Sequence, residues 1–250
     1  MNRPSSALIL TYVIANALLL YLGYLWLGMS ESDGVHLAGS IAVLLFVVFC
    51  SLWVHGTALA SFDRSADLGF PAALRRTLRN LLPLFAIAVA AATLYGLLAW
   101  WHDSFAHSAF VIGSYGTMKL RKPVSPSAVE RGFHVLIWIL RWVIVPVVLL
   151  PLAASAAIDG WSGFRWRSLR PSRRVLYWIE TCALLVCAVW VPLLLVNWMP
   201  PFQSFAAQFA SLAVRLIVGY LIFVAALLSL EFFTASGKPG VTQVSTASAP

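Results

Sequence analysis

Two arginines lie inside long apolar segments, where a charged side chain is costly to bury. Arg141 follows His134 by seven residues, and Arg215 follows Ser211 and Gln208 by four and seven, so each set shares one helical face. Ionisable residues within membrane segments usually face the interior of a bundle and often mark a pathway. We therefore predict an outer polar cavity, suited to an anionic solute or lipid headgroup, lined by Arg141, Arg215, Gln208, Ser211 and His134.

A second interpretation of the two arginines is structural. If the hydrocarbon core begins near Leu136, Arg141 lies about 8 Å below the headgroups. The same holds for Arg215 if the core begins near Ser211. A long arginine side chain can extend over most of that distance. Both interpretations remain open at this point.

Three further ionisable groups lie toward the opposite ends of the apolar segments. Glu180 and Glu231 are near the ends of the fifth and sixth segments. We predict salt bridges between them and nearby arginines, namely Arg167, Arg173 and Arg174. His55, in the second segment, is interpreted either as a relay group or as a residue hydrogen-bonded within the bundle.

A small cluster outside the apolar segments contains His102, Asp103 and His107, with His134 as a further neighbour. A metal site needs three or four converging ligands, which this spacing does not provide. The chain carries no G-x-S-x-G, H-E-x-x-H or Walker motif. The three cysteines lie within apolar segments and do not indicate a disulfide framework. We predict no catalytic residue, no metal and no cofactor.

The elements that position these residues are six apolar segments separated by short polar breaks. Each segment is long enough to cross a hydrocarbon core of about 30 Å as a helix. The chain is 61% hydrophobic and 10% charged, whereas soluble domains have about 25% charged residues. The fold class is therefore an all-α, polytopic transmembrane bundle in one domain, 1–234, followed by a disordered tail, 235–250. The predicted spans are 7–28, 37–62, 81–101, 133–158, 176–198 and 205–233.

The distribution of basic residues predicts the orientation. With six spans and a cytoplasmic amino terminus, eleven Lys and Arg residues lie inside and four lie outside. The positive-inside rule favours this arrangement, with both termini cytoplasmic. We expect an integral protein of a bacterial inner membrane. Residues 105–117 are too short for a seventh span and are predicted to form an interfacial or re-entrant segment on the outer side.

The two long inner loops share a pattern, G-F-x5-R-x2-R, at an offset of 94 residues. It begins at Gly69 in one loop and at Gly163 in the other, which is the arrangement that a parallel internal repeat would produce. Juxtamembrane arginines are attracted to anionic headgroups, and they are also ordinary determinants of topology. The predicted lipid contacts are Arg75, Arg76, Arg79, Arg170, Arg173 and Arg174.

Three classes of function follow. The first is a non-catalytic membrane component that contacts lipid or a partner membrane protein. The second is a small transporter for an anionic solute or lipid that uses Arg141 and Arg215. The third is a membrane-embedded enzyme acting on lipid. The expected partners are the bilayer, its anionic headgroups and an unidentified membrane protein, and no nucleic acid is expected.

Overall fold

The computed structural model describes residues 6–30, 32–63, 68–201 and 204–236. It is 89% helical, with no strand in the described residues. Six of its helices are long and apolar enough to cross a membrane. The predicted all-α polytopic bundle is confirmed, and the chain is an integral membrane protein.

The α-helices of the described chain make up six crossings and one short connecting helix, α3. Their bounds are α1 Ser6–Leu27, α2 Gly34–Ser61, α3 Phe70–Arg79, α4 Leu81–Leu120, α5 Pro126–Ile139, α6 Val145–Asp159, α7 Val175–Leu185, α8 Val191–Asn197 and α9 Phe205–Ser236. The fourth crossing, Pro126–Gly163, contains α5 and α6, and the fifth, Val175–Asn197, contains α7 and α8. Helix α9 continues to Ser236, two residues into the predicted tail 235–250. Residues 237–250 lie outside the described residues.

The segment 105–117 is not re-entrant, so that alternative of the prediction was wrong. It continues α4, which runs for 40 residues without interruption and ends at Leu120. The chain then turns at Arg121, and α5 returns along α4. The two helices form a long hairpin, and the apolar helix that follows the turn starts at Pro126.

Two crossings contain a turn of π-helix, and each turn is followed by a proline. Leu140–Ile144 joins α5 to α6, and Val186–Trp190 joins α7 to α8. Pro146 and Pro192 each lack an N–H group, and each ring collides with the carbonyl four residues earlier. The chain responds with wider hydrogen bonds: the N–H groups of Val145 and Val191 donate to carbonyls five residues before them.

The best-packed part of the bundle lies at one end, where small residues let the helices approach closely. Ala58 and Ala60 of α2 are fully buried, as are Ala154 and Ala157 of α6. Tyr12 near the start of α1 donates a hydrogen bond to Glu231 near the end of α9, so both ends of the described chain lie at this end. We call it the basic end, because α3 and the connection 160–174 carry eight arginines there.

The two copies of the G-F-x5-R-x2-R pattern adopt different local structures. Gly69 is the N-cap of α3, a regular helix that begins with Pro71 at a favoured position. Gly163 ends a 3₁₀ turn, and further 3₁₀ turns, Trp166–Leu169 and Pro171–Arg173, follow it. The similarity therefore does not extend to backbone conformation.

Candidate functional site

Helix α3 lies across the basic end and has two different faces. Ala73 and Thr77 are fully buried, and the indole N–H of Trp53 donates to the carbonyl of Leu74 over 3.1 Å. These contacts hold one face of α3 on α2. Arg75 and Arg79 occupy the opposite face, and the half-buried Arg76 lies beside them toward α6.

That arginine face borders a cleft of about 680 Å³ between α3 and the end of α6. We call it the basic cleft. Three of its lining groups are guanidinium groups, whereas Asp159 is its acidic residue. The lining residues are Leu68, Ala72, Arg75, Arg76, Arg79, Asn80, Ile158, Asp159 and Ser162.

Two of the polar lining side chains hold the last turn of α6 in place. The Nε of Arg76 donates to the carbonyl of Ile158 over 2.7 Å, and one of its terminal nitrogens lies 3.9 Å from a carboxylate oxygen of Asp159. The Asn80 amide donates to the carbonyl of Ala157 over 2.9 Å. These carbonyls belong to a helix end, where no intrahelical N–H remains to pair with them. Arg76 and Asn80 are therefore positioned by structural bonds.

The other two arginines of the cleft are available. Arg75 and Arg79 are exposed, and neither makes an ion pair with any residue that the structure describes. Their guanidinium groups lie at the mouth of the basic cleft, beside Arg76. This arrangement concentrates positive charge on one concave surface.

The second group of predicted lipid contacts lies apart from this cleft. Arg170, Arg173 and Arg174 are exposed on the 3₁₀ connection before α7 and do not line the basic cleft. The six arginines predicted together thus divide into three that surround a concavity and three on an open surface.

Arg215 of the predicted outer cavity bonds to backbone carbonyls. Arg215 donates from Nη1 to the carbonyls of Leu195 and Val196, each over 3.3 Å, and from Nε to the carbonyl of Ser211 over 3.2 Å. It therefore satisfies the last turn of α8, where free carbonyls favour a cation. Gln208 is exposed one to two turns earlier on α9.

Arg141 lies in the π turn of the fourth crossing and has other neighbours. The hydroxyl of Tyr95 in α4 donates to the Arg141 carbonyl over 2.7 Å, while the buried Nε of Arg141 has no hydrogen-bond partner in the described part of the chain. His134 lies near Glu130, at 4.0 Å, and its ring packs on that of His102, with centroids 4.2 Å apart. Arg141 and Arg215 thus have separate partners, and neither lines the basic cleft.

A cluster that the sequence analysis did not assemble lies within the membrane-spanning region of the basic end. Tyr12 of α1, His55 of α2 and Glu231 of α9 meet, and we call them the buried triad. The Tyr12 hydroxyl lies 2.7 Å from Glu231 Oε1, His55 Nδ1 lies 2.6 Å from the same oxygen, and the hydroxyl and Nδ1 are 2.8 Å apart. Glu231 therefore pairs with His55 rather than with Arg167, Arg173 or Arg174, and its predicted salt bridge was wrong.

An apolar cavity of about 310 Å³ adjoins the triad between α1, α2 and α3. Tyr12 forms part of its wall, together with Trp53 and Val54 of α2 and Phe70 and Leu74 of α3. Helix α3 therefore separates this apolar cavity from the basic cleft.

The imidazole and carboxylate groups of the outer cluster come together only in part. His102 and His134 stack, whereas Asp103 is exposed and the His107 side chain lies outside the described residues. Within the described residues, no group of three or more His, Cys, Asp or Glu side chains is arranged to hold a metal ion.

Comparison of the chain with models of protein families, with curated proteins and with solved structures gives no match.

Proposed function

We propose that the chain is a non-catalytic membrane component that binds the headgroup of an anionic phospholipid in the basic cleft. The single observation that carries this proposal is the cleft of about 680 Å³ that Arg75, Arg76 and Arg79 line, with Arg75 and Arg79 unpaired among the described residues. In this proposal the basic end faces the cytoplasm, in agreement with the positive-inside rule.

The chemistry of the cleft supports a phosphate-bearing ligand. Guanidinium groups offer paired N–H donors that match the oxygens of a phosphate, and they keep their charge at every physiological pH. Arg76 is already oriented by the Ile158 carbonyl, so it loses little freedom when a ligand binds. Asn80 adds an amide on the cleft wall.

The position of the cleft supports a lipid as the source of that phosphate. Helix α3 directly precedes α4, which begins a membrane crossing at Leu81. Arginines at this level lie beside the headgroup layer, where each gains about 1 kcal/mol near an anionic leaflet. The transporter interpretation would require Arg141 and Arg215 to share one cavity, and their different partners favour the lipid-binding interpretation.

The proposal is tested with the full chain in mild detergent, titrated calorimetrically with short-chain phosphatidylglycerol. We expect the Arg75→Gln/Arg79→Gln double variant to bind about thirty-fold more weakly than the unmodified chain, because it loses two arginines worth about 1 kcal/mol each. Arg76 is left unchanged because it also holds the end of α6. Thermal unfolding of both proteins verifies that the variant is folded.

The matched control is Arg170→Gln/Arg173→Gln, which removes the same charge from the open surface at the same end. We expect this variant to retain its affinity within about threefold, since charges outside a concavity are well screened. Equal losses in the two double variants would reject the basic cleft as the site. Equal affinity for phosphatidylcholine would reject an anionic headgroup, and equal affinity for inorganic phosphate would reject a lipid as the required source.

A further inference from the structure

The buried triad is a cluster of hydrogen-bonded polar side chains inside the membrane-spanning part of the bundle, and the proposed lipid site does not use it. Glu231 is 5% exposed and Tyr12 is 1% exposed, whereas the side chain of His55 is 29% exposed. The three residues come from three different crossings. Their hydrogen bonds therefore join α1 to α2 and α9.

The geometry determines which atoms carry hydrogen. Tyr12 donates its one hydroxyl hydrogen to Glu231 Oε1, so toward His55 its oxygen acts as an acceptor. Glu231 Oε1 is also an acceptor. His55 Nδ1 lies within 2.8 Å of both oxygens, so with Glu231 ionised a hydrogen on Nδ1 completes these contacts, and Nε2 is the other nitrogen of the ring.

The second carboxylate oxygen of Glu231, Oε2, has a different environment from the first. Oε2 is buried and makes no hydrogen bond within the described part of the chain. Burial of a carboxylate with an unpaired oxygen is costly in a medium of low dielectric constant. Oε2 is thus the second atom of the triad where a proton can bind.

The groups around the carboxylate do not supply a permanent positive charge. Tyr12 faces it from α1 and His55 from α2, while Tyr220 on α9 itself and Tyr177 of α7, beside Thr234, are the other titratable groups nearby. No arginine or lysine acts on Glu231 among the residues that the structure describes. With Glu231 ionised and His55 neutral, the triad carries one negative charge. One added proton therefore makes the triad electrically neutral.

We propose that Tyr12, His55 and Glu231 form a binding site for one exchangeable proton, shared between His55 Nε2 and Glu231 Oε2, which holds α1 against α2 and α9. The proton enters from water at the basic end through the partly exposed imidazole and returns the same way. When it leaves, one negative charge remains between three helices. The packing of α1 weakens as a result.

The sign of the pH dependence follows from proton counts. In the unfolded chain, glutamate and histidine release their protons near pH 4.3 and 6.5. Above about pH 6.5 the unfolded chain has lost both protons while the folded triad keeps one, so stability falls as pH rises. The expected slope is a tenfold loss in the ratio of folded to unfolded protein per pH unit.

The experiment follows urea unfolding of the full chain in nonionic detergent between pH 6.5 and 9. In Glu231→Gln, the amide oxygen still accepts the two hydrogen bonds, but no proton is exchanged. We expect the slope above pH 6.5 to be lost in this variant. Glu180→Gln, which changes a glutamate of α7 outside the triad, is the matched control and keeps the slope of the unmodified chain.

Two further variants protect the test against a failure of Glu231→Gln to fold. His55→Gln removes the exchangeable ring, and Tyr12→Phe removes one hydrogen bond to Oε1 while it keeps the aromatic packing. We expect both variants to shift the pH range of the alkaline slope, because each changes the groups that contact Glu231 Oε1. Identical profiles in the unmodified chain and in every folded triad variant would overturn the proposal. The lipid affinity of the basic cleft is measured separately, so failure of either proposal leaves the other standing.

Discussion

The position of a residue along its helix indicates, better than its charge does, which side chains can meet inside the bundle. Tyr12 lies six residues inside the start of α1, His55 six residues before the end of α2, and Glu231 five residues before the end of α9. At 1.5 Å per residue these three positions lie at about the same depth, roughly 8 to 9 Å. The same arithmetic applied to Arg141 and Arg215 gave a common depth but no common site. Equal depth is necessary for contact, and the rotation of each helix about its axis decides the rest.

Gly163 provides a prediction about a single residue. A Cβ atom at this position would lie 2.5 Å from the backbone oxygen of Ser155, whereas one at Gly69 would approach nothing closer than 4.0 Å. We expect Gly163→Ser to cost about 1 to 3 kcal/mol, because backbone atoms of α6 cannot move aside. The measurement is the free energy of unfolding in detergent.

Gly69→Ser is the matched control, since both glycines start the same G-F-x5-R-x2-R pattern. Gly69 is the N-cap of α3, where serine is a preferred residue, so this variant should keep its stability. Equal costs at the two positions would contradict the different backbone structures of the two loops.

Among the helices, α4 best explains why a hydropathy pattern misleads at a membrane border. The polar residues His102, Asp103 and Ser104 end the apolar segment, but none of them breaks a helix. The end of the apolar segment thus does not end α4, whose backbone hydrogen bonds continue until Arg121. The segment 105–117 was too short for a crossing and was correctly excluded as one.

Arg121 provides a prediction about this helix hairpin. It ends α4 with φ 53° and ψ 28°, a left-handed conformation that glycine adopts without steric cost. Arg121→Gly should raise the free energy of unfolding by about 1 kcal/mol, since a side chain in this region costs about 1 to 2 kcal/mol.

The control for this substitution is Lys122→Gly, at the next position along the same turn. Arg121 and Gly160 are the residues with positive φ in the described chain, so glycine at position 122 gains nothing and adds freedom to the unfolded state. A gain in stability at 122, or a loss at 121, would contradict the left-handed end of α4.

The bundle as a whole is packed unequally along its length. The buried clusters join α2 to α4 and α6, and α1 to α2 and α9, near the basic end, where Ala and Gly allow close approach. At the start of α2 the contacts are local. The exposed Asp33 carboxylate is hydrogen-bonded to the backbone N–H and ring of His36 and to the backbone N–H of Val35. These hydrogen bonds hold the pKa of Asp33 below its usual value. The packing places the basic cleft and the triad at the best-packed end of the molecule.

The orientation of the bundle is predicted by its charge and can be measured directly. In a background with Cys50, Cys182 and Cys187 replaced by alanine, we introduce Ser127→Cys at the hairpin or Ser162→Cys at the basic end; both serines are exposed. A membrane-impermeant thiol reagent applied to intact cells should label Cys only in the Ser127 variant. The Ser162 variant should react after permeabilisation, and the opposite pattern would reverse the predicted topology.

The number, length and helical nature of the crossings follow from local sequence, because a backbone in hydrocarbon must satisfy its own hydrogen bonds. The position of the basic loops follows from local sequence as well. The buried triad does not, since its members are separated by 43 and 176 residues and their contact depends on which face each helix turns to its neighbours. The partners of Arg76 and Arg215 likewise do not follow from local sequence, because they are backbone carbonyls at the ends of other helices. Hydropathy is a property of each segment alone, whereas a site between helices is a property of their packing.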